Sequence, residues 1–332
     1  MATIKQIAAE TGFSPSTVSI VLRGKSHERN ISGETTLKIL NTAQRMGYRA
    51  NIAARRLRAN QTTGVMVSVF MAIDDRANVM MRFLLGLKSI AADAEAPFEI
   101  VIHSYKSGTL HTLAETIALT HCAIICNASD EDMAFLDTTQ FILPIVLFLR
   151  NSDKYCTVNV NYKQIGQVVA DIFARRGHKH AVLLDTEPSF IGLKHISDTF
   201  MGTARRHNIS VTQIYETRSM KGGYNGGITI GKMRPLPDCV FAINNVLALG
   251  ALNAFGKTGI QLPQQMELIG IGTDNTEHEE YAHISISSIH MPLDLLAREC
   301  VRLLFLQLDG RLDTPTSVEV PFSYVVRESC GA

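Results

Sequence analysis

The sequence lacks the features that mark membrane, secreted and disulfide-stabilised proteins. No apolar run approaches the ~18 residues of a membrane-spanning helix, and Lys5 and Glu10 interrupt any signal-peptide pattern at the start. The 6 cysteines among 332 residues form no CxxC pair, and most stand in apolar runs such as HCAIIC. They are therefore expected to be buried, reduced thiols rather than a disulfide framework. We expect the chain in the reducing cytoplasm.

Catalytic signatures are also missing. The chain has no GxSxG elbow, no HExxH and no recognisable pair of carboxylates, so it offers no catalytic residue and we expect no enzyme activity. The stretch from Gly226 to Lys232 has the spacing of a phosphate-binding loop. It ends in Met233 where Ser or Thr must hold magnesium, and no apolar strand leads into it, so we expect a helix there.

Candidate metal ligands do not complete a site. The tetrahedral sites of zinc need four ligands from clusters that meet, and no second cluster accompanies any of these groups. The run TEHEEYAH is the densest, but it reads as a polar loop with solvated charges. We expect neither a metal nor another cofactor. The groups considered are His121 with Cys122 and Cys126, His178 with His180, and His278 with His283.

Charge is divided unevenly along the chain. The formal net charge is +1, but residues 1–60 hold ten Lys and Arg against three Asp and Glu. This segment therefore carries +7, which leaves −6 for the rest of the chain. A basic N-terminal segment on a mildly acidic body indicates a protein that contacts phosphates through its N-terminus.

The basic segment opens with two short predicted helices. Thr3 and Gln6 fit a capping box, and Gly12 suits the left-handed residue that ends a helix. Ser14 can cap a second helix with Pro15 at its first position. This pattern predicts a helix-turn-helix, whose second helix lies in the DNA major groove. Its outward face is formed by Pro15, Ser16, Ser19 and Ile20, and a third helix is predicted after Ser32.

Beyond residue 62 the pattern becomes an alternation of apolar strands with helices of 10 to 15 residues. Examples are the strand GVMVSVFM followed by the helix MMRFLLGLKSIAADA, and the strand CVFAI followed by the helix VLALGALNAFGKTG. Such alternation predicts parallel, doubly wound α/β sheets. About 270 residues exceed one comfortable core, so two similar lobes are expected. The predicted fold is a small all-α head with a two-lobed α/β body.

Ordered motifs give the chain a resemblance to a known family. TIKQIAAETGFSPSTVSIVL, ISGETT, MGYRAN and AARRLR in the head precede VNVNYKQIGQVVADIFARRGHKHAVLLD, INNVLALGALNAFGKTGIQLPQQMELIGIG and ISISSIHMPLDLLARE in the body. With these motifs in this order, the chain resembles the lactose repressor family of bacterial transcription regulators. The resemblance implies a homodimer on a near-palindromic operator, hinge helices in the minor groove, and a periplasmic-binding-protein-like body holding a small effector between its lobes.

The resemblance also implies domain boundaries. The headpiece would span residues 1–50, the hinge helix and linker 51–62, and the effector-binding and dimerisation body 63–332. Within the body, lobe 1 would comprise about 63–160 and 292–320, and lobe 2 about 161–290 and 321–332. The chain ends without a leucine-rich heptad tail, so a dimer is expected rather than a tetramer.

DNA-contacting roles follow from the same resemblance. Ile20 stands where the family often has a polar reader, and it can only pack on an apolar group such as a thymine methyl. Leu57 is the one large apolar residue of the basic stretch AARRLR and would act as the minor-groove wedge. Ala50 replaces the usual proline before the hinge. The implied base-reading residues are Pro15, Ser16 and Ile20, and the implied backbone contacts are Ser14, Thr17, Ser19, Tyr48, Asn51, Arg55 and Arg56, with Arg58 beside them.

The implied effector site departs from the family pattern. Gly272 replaces the aspartate that binds sugar hydroxyls, Ile196 replaces an arginine, and Asn245 replaces the aspartate after the ligand-contacting Asn244. Asp274 and Lys194 lie near enough in sequence to substitute. The expected effector is a sugar or sugar derivative. The expected contact residues are Asp74, Asn78, Arg150, Lys194, Asn244, Asp274 and Met291, with Asp75 and Arg76 on the same loops.

The leading prediction is a sequence-specific DNA-binding regulator, an effector-responsive repressor of a carbohydrate or related carbon-source operon. One alternative is a DNA-binding dimer whose body has lost its effector response. Another is an α/β sugar-processing enzyme with a DNA-binding head, which the missing catalytic motifs oppose. A head that is only a protein-interaction bundle is a further alternative, which the +7 charge opposes.

Overall fold

The computed structural model describes residues 3–22, 26, 29–46, 65–73, 77–93, 98–188, 191–273 and 277–331. Contacts divide the chain into two compact units. The first is drawn from residues 1–77, 84–158 and 297–318, and the second from 78–83, 159–296 and 319–332. Both units are thus assembled from segments that are distant in the sequence. No helix in the described ranges is long and apolar enough to cross a bilayer.

The head contains helices α1 (Ile4–Thr11), α2 (Pro15–Val21) and α3 (Gly33–Arg45). The capping box predicted at Thr3 and Gln6 is present, and Gly12 ends α1 at φ 78°. The Ser32 hydroxyl accepts the Thr35 amide proton at 3.2 Å, as expected for the cap of α3. The side chains that share the head's core are Ile7, Ala8, Val18, Val21, Ile39 and Ala43.

The first unit also contains a sheet covered by helices. Its elements are β1 (Val65–Ala72), α4 (Ala77–Asp93), β2 (Phe98–Tyr105), a 3-10 turn (Leu110–Leu113), α5 (Ala114–Leu119), β3 (Cys122–Cys126), α6 (Asp130–Thr138), β4 (Ile145–Phe148) and β5 (Cys156–Asn159). Helix α12 (Leu293–Leu308) and strand β11 (Ser317–Glu319) follow late in the chain. In the described residues the strand order is β11-β5-β4-β3-β1-β2.

The second unit repeats this architecture. Its elements are α7 (Tyr162–Arg175), β6 (His180–Asp185), α8 (Ile191–Arg206), β7 (Ser210–Tyr215), α9 (Met220–Gly231), β8 (Cys239–Ala242), α10 (Asn245–Thr258), β9 (Glu267–Thr273), α11 (Glu277–Glu280), β10 (Ser287–Met291), β12 (Ser323–Val325) and a 3-10 turn (Glu328–Cys330). The described strands have the order β12-β10-β9-β8-β6-β7. All the recorded pairings in this sheet are parallel except that of β10 with β12.

Both sheets are doubly wound, as predicted. In the second unit β6 lies between β7 and β8, so the helices after β6 and β8 leave the sheet on opposite sides. In the first unit β1 lies between β2 and β3 in the same way. Ligands of open α/β sheets bind at the carboxyl ends of the strands where the winding reverses. Asp185 and Ala242 end the two strands at this position in the second unit.

Helices α9 and α10 approach each other unusually closely. A Cβ on Gly250 would lie 2.3 Å from the Met220 carbonyl oxygen and 2.7 Å from the Tyr224 nitrogen, and one on Gly223 would lie 2.3 Å from the Leu247 carbonyl oxygen. Only glycine permits this approach of two backbones. The predicted helix at Gly226 to Lys232 lies within α9, so the phosphate-loop alternative is wrong.

The last residues of the chain are fixed to the second unit by side-chain hydrogen bonds. The Ser329 hydroxyl donates to the Leu268 carbonyl at 2.6 Å and accepts the Ser287 amide proton at 2.9 Å. The carboxylate of Glu267, the first residue of β9, accepts from Arg176 at 2.6 Å, from His178 at 2.7 Å and from the Cys330 thiol at 3.2 Å. This Glu267 cluster joins the end of α7, the start of β9 and the C-terminal turn.

Three sequence predictions need correction. Helix α6 was not predicted, although its N-cap Ser129 and Asp132 form a capping box. The apolar alternation of HISISSI predicts a strand from His283, but β10 begins at Ser287 and ends at Met291, so Met291, which was expected on a loop, lies in a strand. The run TEHEEYAH is not simply a solvated loop, because it contains α11 with the buried Glu279.

Candidate DNA-reading head and effector site

The second helix of the head starts with its capping interactions complete. The Ser14 hydroxyl accepts the Thr17 amide proton at 3.0 Å and lies 2.8 Å from the Thr17 hydroxyl, so these two hydroxyls bond to each other. Pro15 occupies the first helical position, where no amide proton is needed. The N-terminal end of α2 is thereby fixed at the end that a reading helix directs into the groove.

The exposed face of α2 is the predicted one. Val18 and Val21 are buried at 0% and 2% exposure, whereas Pro15 and Ser16 are exposed and Ile20 is half-buried. Ser14 is exposed as well, and Thr17 and Ser19 are half-buried. On this face the predicted base-reading side chains offer one hydroxyl, that of Ser16, and otherwise apolar surface.

Contacts from α3 hold the two helices in place. Arg45 on α3 lies 2.8 Å from the carboxylate of Glu10 on α1. The ammonium of Lys38 lies 5.4 Å from the centroid of the Phe13 ring in the turn between α1 and α2. Both are exposed interactions of modest strength, so the head's apolar core contributes most of its stability.

Several predicted site residues lie outside the described residues. They are Tyr48 of the headpiece, Asn51, Arg55, Arg56, Leu57 and Arg58 of the hinge, and Asp74, Asp75, Arg76 and Asp274 of the effector site. Asn78 is placed on α4, but its side chain is not described.

The carboxyl edge of the second sheet carries a buried polar cluster that sequence reasoning did not single out. Asp185 is 4% exposed and accepts hydrogen bonds from the Ser197 hydroxyl at 2.7 Å and the Gln213 amide at 2.8 Å. Its other carboxylate oxygen accepts the Thr186 amide proton at 2.8 Å. These bonds fix the loop after β6 at the position where the winding reverses.

Asn244 lies across the same edge, where β8 leads into α10. It caps the helix, because its Oδ1 accepts the Leu247 amide proton at 3.0 Å. The residue is 6% exposed, and its Nδ2 has no hydrogen-bond partner among the described residues. Buried polar atoms in native proteins are nearly always satisfied. The Nδ2 of Asn244 is therefore a donor available to a bound molecule.

The remaining predicted effector residues have different surroundings. Lys194 is exposed on α8 and lies 2.6 Å from the Asp198 carboxylate one turn later. Ile196, at the position where the resemblance implies an arginine, faces inward and is 1% exposed. Met291 is half-buried at the end of β10. Lys194, Asn244 and Met291 all belong to the second unit.

Arg150 belongs to the first unit, directly after the end of β4. It is 6% exposed, and its guanidinium donates to the Ala128 carbonyl at 2.6 Å and to the Leu149 carbonyl at 2.8 Å. Asn127 and Leu149, which follow β3 and β4, both adopt φ 57°, a left-handed conformation that is strained for leucine. Arg150 thus braces the carboxyl edge of the first sheet.

The imidazoles considered as metal ligands also have hydrogen-bond partners. His121 Nδ1 accepts the Met66 amide proton at 3.1 Å, and His178 bonds to Glu267. Over the ranges that the structure describes, no group of three His, Cys, Asp or Glu side chains could hold a metal ion.

Comparison with known proteins gives matches over the whole chain. Residues 3–51 match the family described as "Bacterial regulatory proteins, lacI family", and residues 170–330 match the "Periplasmic binding protein-like domain". The chain is 22% identical to the HTH-type transcriptional repressor PurR of Pasteurella multocida, covering 99% of this chain and 98% of that protein. It is 24% identical to the catabolite control protein A of Priestia megaterium, covering 98% of each.

Solved structures share the fold. A LacI family transcription regulator from Clostridium acetobutylicum superposes with a TM-score of 0.76 at 26% identity, covering 80% of this chain and 100% of that one. The lac repressor dimer bound to operator and the anti-inducer ONPF gives a TM-score of 0.70 at 19% identity, covering 100% of this chain and 99% of that one.

Head, body and comparisons define a class: a DNA-binding transcription regulator with a helix-turn-helix head and a periplasmic-binding-protein-like body of two parallel α/β sheets. Within this class, the chain belongs to the LacI family of bacterial regulatory proteins.

Proposed function

We propose that the protein is an effector-responsive repressor of a carbohydrate or related carbon-source operon, acting in the cytoplasm as a homodimer on a near-palindromic operator. The proposed effector response rests on the buried Nδ2 of Asn244 at the carboxyl edge of the second sheet, which has no hydrogen-bond partner among the described residues. Effector binding changes the population of the DNA-competent state, because the effector has different affinities for the two states.

The roles assigned to the head are part of this proposal. Pro15, Ser16 and Ile20 read base edges. Ser14, Thr17, Ser19, Tyr48, Asn51, Arg55 and Arg56 contact the backbone. Leu57 is the minor-groove wedge. Support comes from the +7 charge of residues 1–60 and from the exposed start of α2.

Operator binding is tested by fluorescence anisotropy of the full-length protein with duplexes tiling its own and neighbouring promoters. We expect one palindromic site of about 14 to 20 base pairs, bound by a dimer, with affinity falling steeply between ~50 and ~200 mM salt. Salt-insensitive binding, or no preferred site in any tiled promoter, contradicts the proposal.

The reading role of Ile20 has its own test. Ile20→Arg gives the outward face of α2 a bidentate donor, so the preferred base at the facing step should change toward guanine. Selection of binding sites from a randomised duplex measures this change. A variant that binds DNA with the base preference of the native protein would remove Ile20 from the reading face.

The effector response is tested with Asn244→Asp. Aspartate caps a helix as well as asparagine does, so the cap of α10 is retained while the Nδ2 donor is lost. Because the new carboxyl group would be buried, we expect a modest loss of thermal stability, and at a temperature where both proteins are folded we expect at least tenfold weaker effector affinity. Equal affinity for the effector in both proteins would show that this amide does not contact it.

Dimerisation and the domain division complete the proposal. Leu85 on α4 and Ile102 on β2 are 46% and 50% exposed and supply apolar surface on the first unit. We propose the headpiece, hinge and body divisions at residues 1–50, 51–62 and 63–332, with the lobe boundaries expected from the sequence. Sedimentation of the full-length protein measures the oligomeric state, and a monomer at micromolar concentration contradicts the dimer.

A further inference from the structure

A carboxyl group that sequence reasoning left in solvent is buried in the second unit. Glu279 on α11 is 2% exposed, whereas its neighbours Glu277 and Glu280 on the same helix are exposed. Burying a carboxyl group is costly unless its oxygens receive hydrogen bonds or a countercharge. The position of Glu279 therefore needs a physical reason.

The contacts of Glu279 within the second unit satisfy only part of the group. The Asn245 side chain hydrogen-bonds the carboxyl, and the charges of His278 and Arg327 are nearby. The Arg327 guanidinium is itself engaged, since it donates to the Ile286 carbonyl at 2.9 Å and the Ser288 hydroxyl at 3.2 Å. Within the described ranges, Glu279 Oε1 has no hydrogen-bond partner. Burial raises the pKa of Glu279 in spite of these contacts.

Asn245, which bonds to Glu279, directly follows Asn244. At the start of α10, the Asn245 side chain thus bonds to the buried carboxyl of Glu279. The preceding residue, Asn244, carries the buried amide whose Nδ2 also has no partner among the described residues. One group offers an acceptor and the other a donor, at the carboxyl edge of the same sheet. A hydroxyl group of a bound molecule can accept from the Nδ2 of Asn244, and a hydroxyl or amino group can donate to Glu279.

Charge at this edge argues against an anionic ligand. Ile196 fills the position where the family has an arginine, and it is buried in the core. Lys194 is exposed and paired with Asp198 at 2.6 Å. Asp185 is buried with its hydrogen bonds made, which adds a second carboxyl group near the reversal of winding. A phosphate or carboxylate brought to Glu279 would meet a second acidic group in a poorly solvated site, and the nearby Arg327 guanidinium is already hydrogen-bonded within the unit.

We infer that Glu279 is a specificity-determining residue of the effector site. Its carboxyl group accepts a hydrogen bond from a hydroxyl or amino group of the effector. The site thereby selects uncharged or amino sugars over sugar phosphates and sugar acids. This inference rests on the proposed effector response.

The test is a thermal-shift titration of the full-length protein with matched probes. Glucose, galactose, xylose, trehalose and glucosamine represent uncharged and amino sugars, and glucose 6-phosphate and glucuronate represent anionic ones. The shift in Tm grows with the logarithm of the ligand excess over Kd. We expect at least one uncharged or amino sugar to bind, at least tenfold more tightly than either anionic probe.

Two variants on the same helix separate recognition from packing. Glu279→Gln keeps the size of the side chain and should weaken binding of that sugar at least tenfold. Glu280→Gln, at an exposed position, should leave its Kd within twofold. If Glu279→Gln does not fold, the native protein decides the question: its best-bound uncharged or amino sugar must bind at least tenfold more tightly than glucuronate.

Three results would overturn the inference: an anionic probe that binds as tightly as any neutral one, Glu279→Gln binding with native affinity, or no shift with any uncharged or amino sugar. The proposed function fails separately. Loss of salt-dependent operator binding would refute the repressor, whereas operator binding with preference for an anionic sugar would refute only the role of Glu279.

Discussion

The close contact between α9 and α10 leads to a prediction for Gly250. Replacing it with alanine places a methyl group 2.3 Å from the Met220 carbonyl oxygen and 2.7 Å from the Tyr224 nitrogen. Both atoms are backbone, so no side chain can rotate to relieve the overlap. Helix α9 must move away by about an ångström, which separates the other close contacts along it.

The magnitude follows from two opposing effects. Overpacking a well-filled site costs about 3 kcal/mol when rigid groups collide. Alanine in place of glycine within a helix returns about 1 kcal/mol. The net loss of about 2 kcal/mol corresponds to a decrease in Tm of about 4 to 8 °C for a unit of this size. Because α10 begins at the cap Asn244, effector affinity should fall as well.

Gly202 on α8 provides a matched control. It lies in a helix of the same unit, and a Cβ there would have no atom within 4 Å. Gly202→Ala should therefore raise Tm by about 2 °C through helix propensity alone. The two variants are compared by thermal melting of the full-length protein. A Gly250→Ala variant as stable as Gly202→Ala would refute the close approach of the two helices.

Two other changes test polar groups that hold distant segments together. The Asp132 carboxylate accepts amide protons from Gly108 at 3.1 Å, Leu110 at 2.9 Å and Ser129 at 3.0 Å. Asp132→Ala should therefore lower the free energy of unfolding, measured by urea denaturation, by about 3 kcal/mol. An unchanged midpoint of unfolding would contradict this. Burial opposes ionisation of Glu267, but its hydrogen bonds outweigh burial and hold its pKa below the ordinary value. The stability that ionised Glu267 contributes is therefore complete above about pH 4.3 and is lost as pH falls through its lower pKa in the native protein. Glu267→Gln should thus have a lower Tm than the native protein at pH 7, and this difference in Tm should shrink on acidification. A difference that stays constant from pH 7 to 3 would be inconsistent with an ionised Glu267.

The head was predictable because its signals are local. A cap, a turn glycine and an N-terminal proline act within four residues of each other, so Thr3, Gly12 and Pro15 specify their helices without reference to the rest of the chain. The alternation of strands and helices was equally clear, because buried parallel strands are continuous apolar runs. These two patterns were sufficient for the fold.

The polar side chains at the carboxyl edge of the second sheet were less predictable, because their burial depends on contacts with residues that are distant in the sequence. Glu279 belongs to a run of charged residues, and only its packing near Asn245 removes it from solvent. Helix α6 was missed because it is short and has weak apolar periodicity, although the Ser129 and Asp132 capping box was visible in the sequence. Asn244 was predicted from the family motif, but the sequence could not show that its Nδ2 has no hydrogen-bond partner among the described residues.

The division of the chain between the units has a consequence for synthesis. Residues 297–318 complete the first unit and residues 319–332 the second, and the Glu267 cluster binds the final turn to a strand made more than fifty residues earlier. Domains generally fold from the N-terminus as the ribosome releases them. In this protein each sheet is complete only after its edge strand, β11 or β12, has been released. The buried core residues of the head all lie between Ile7 and Ala43, so the head can form first and a DNA-binding element exists before the α/β body.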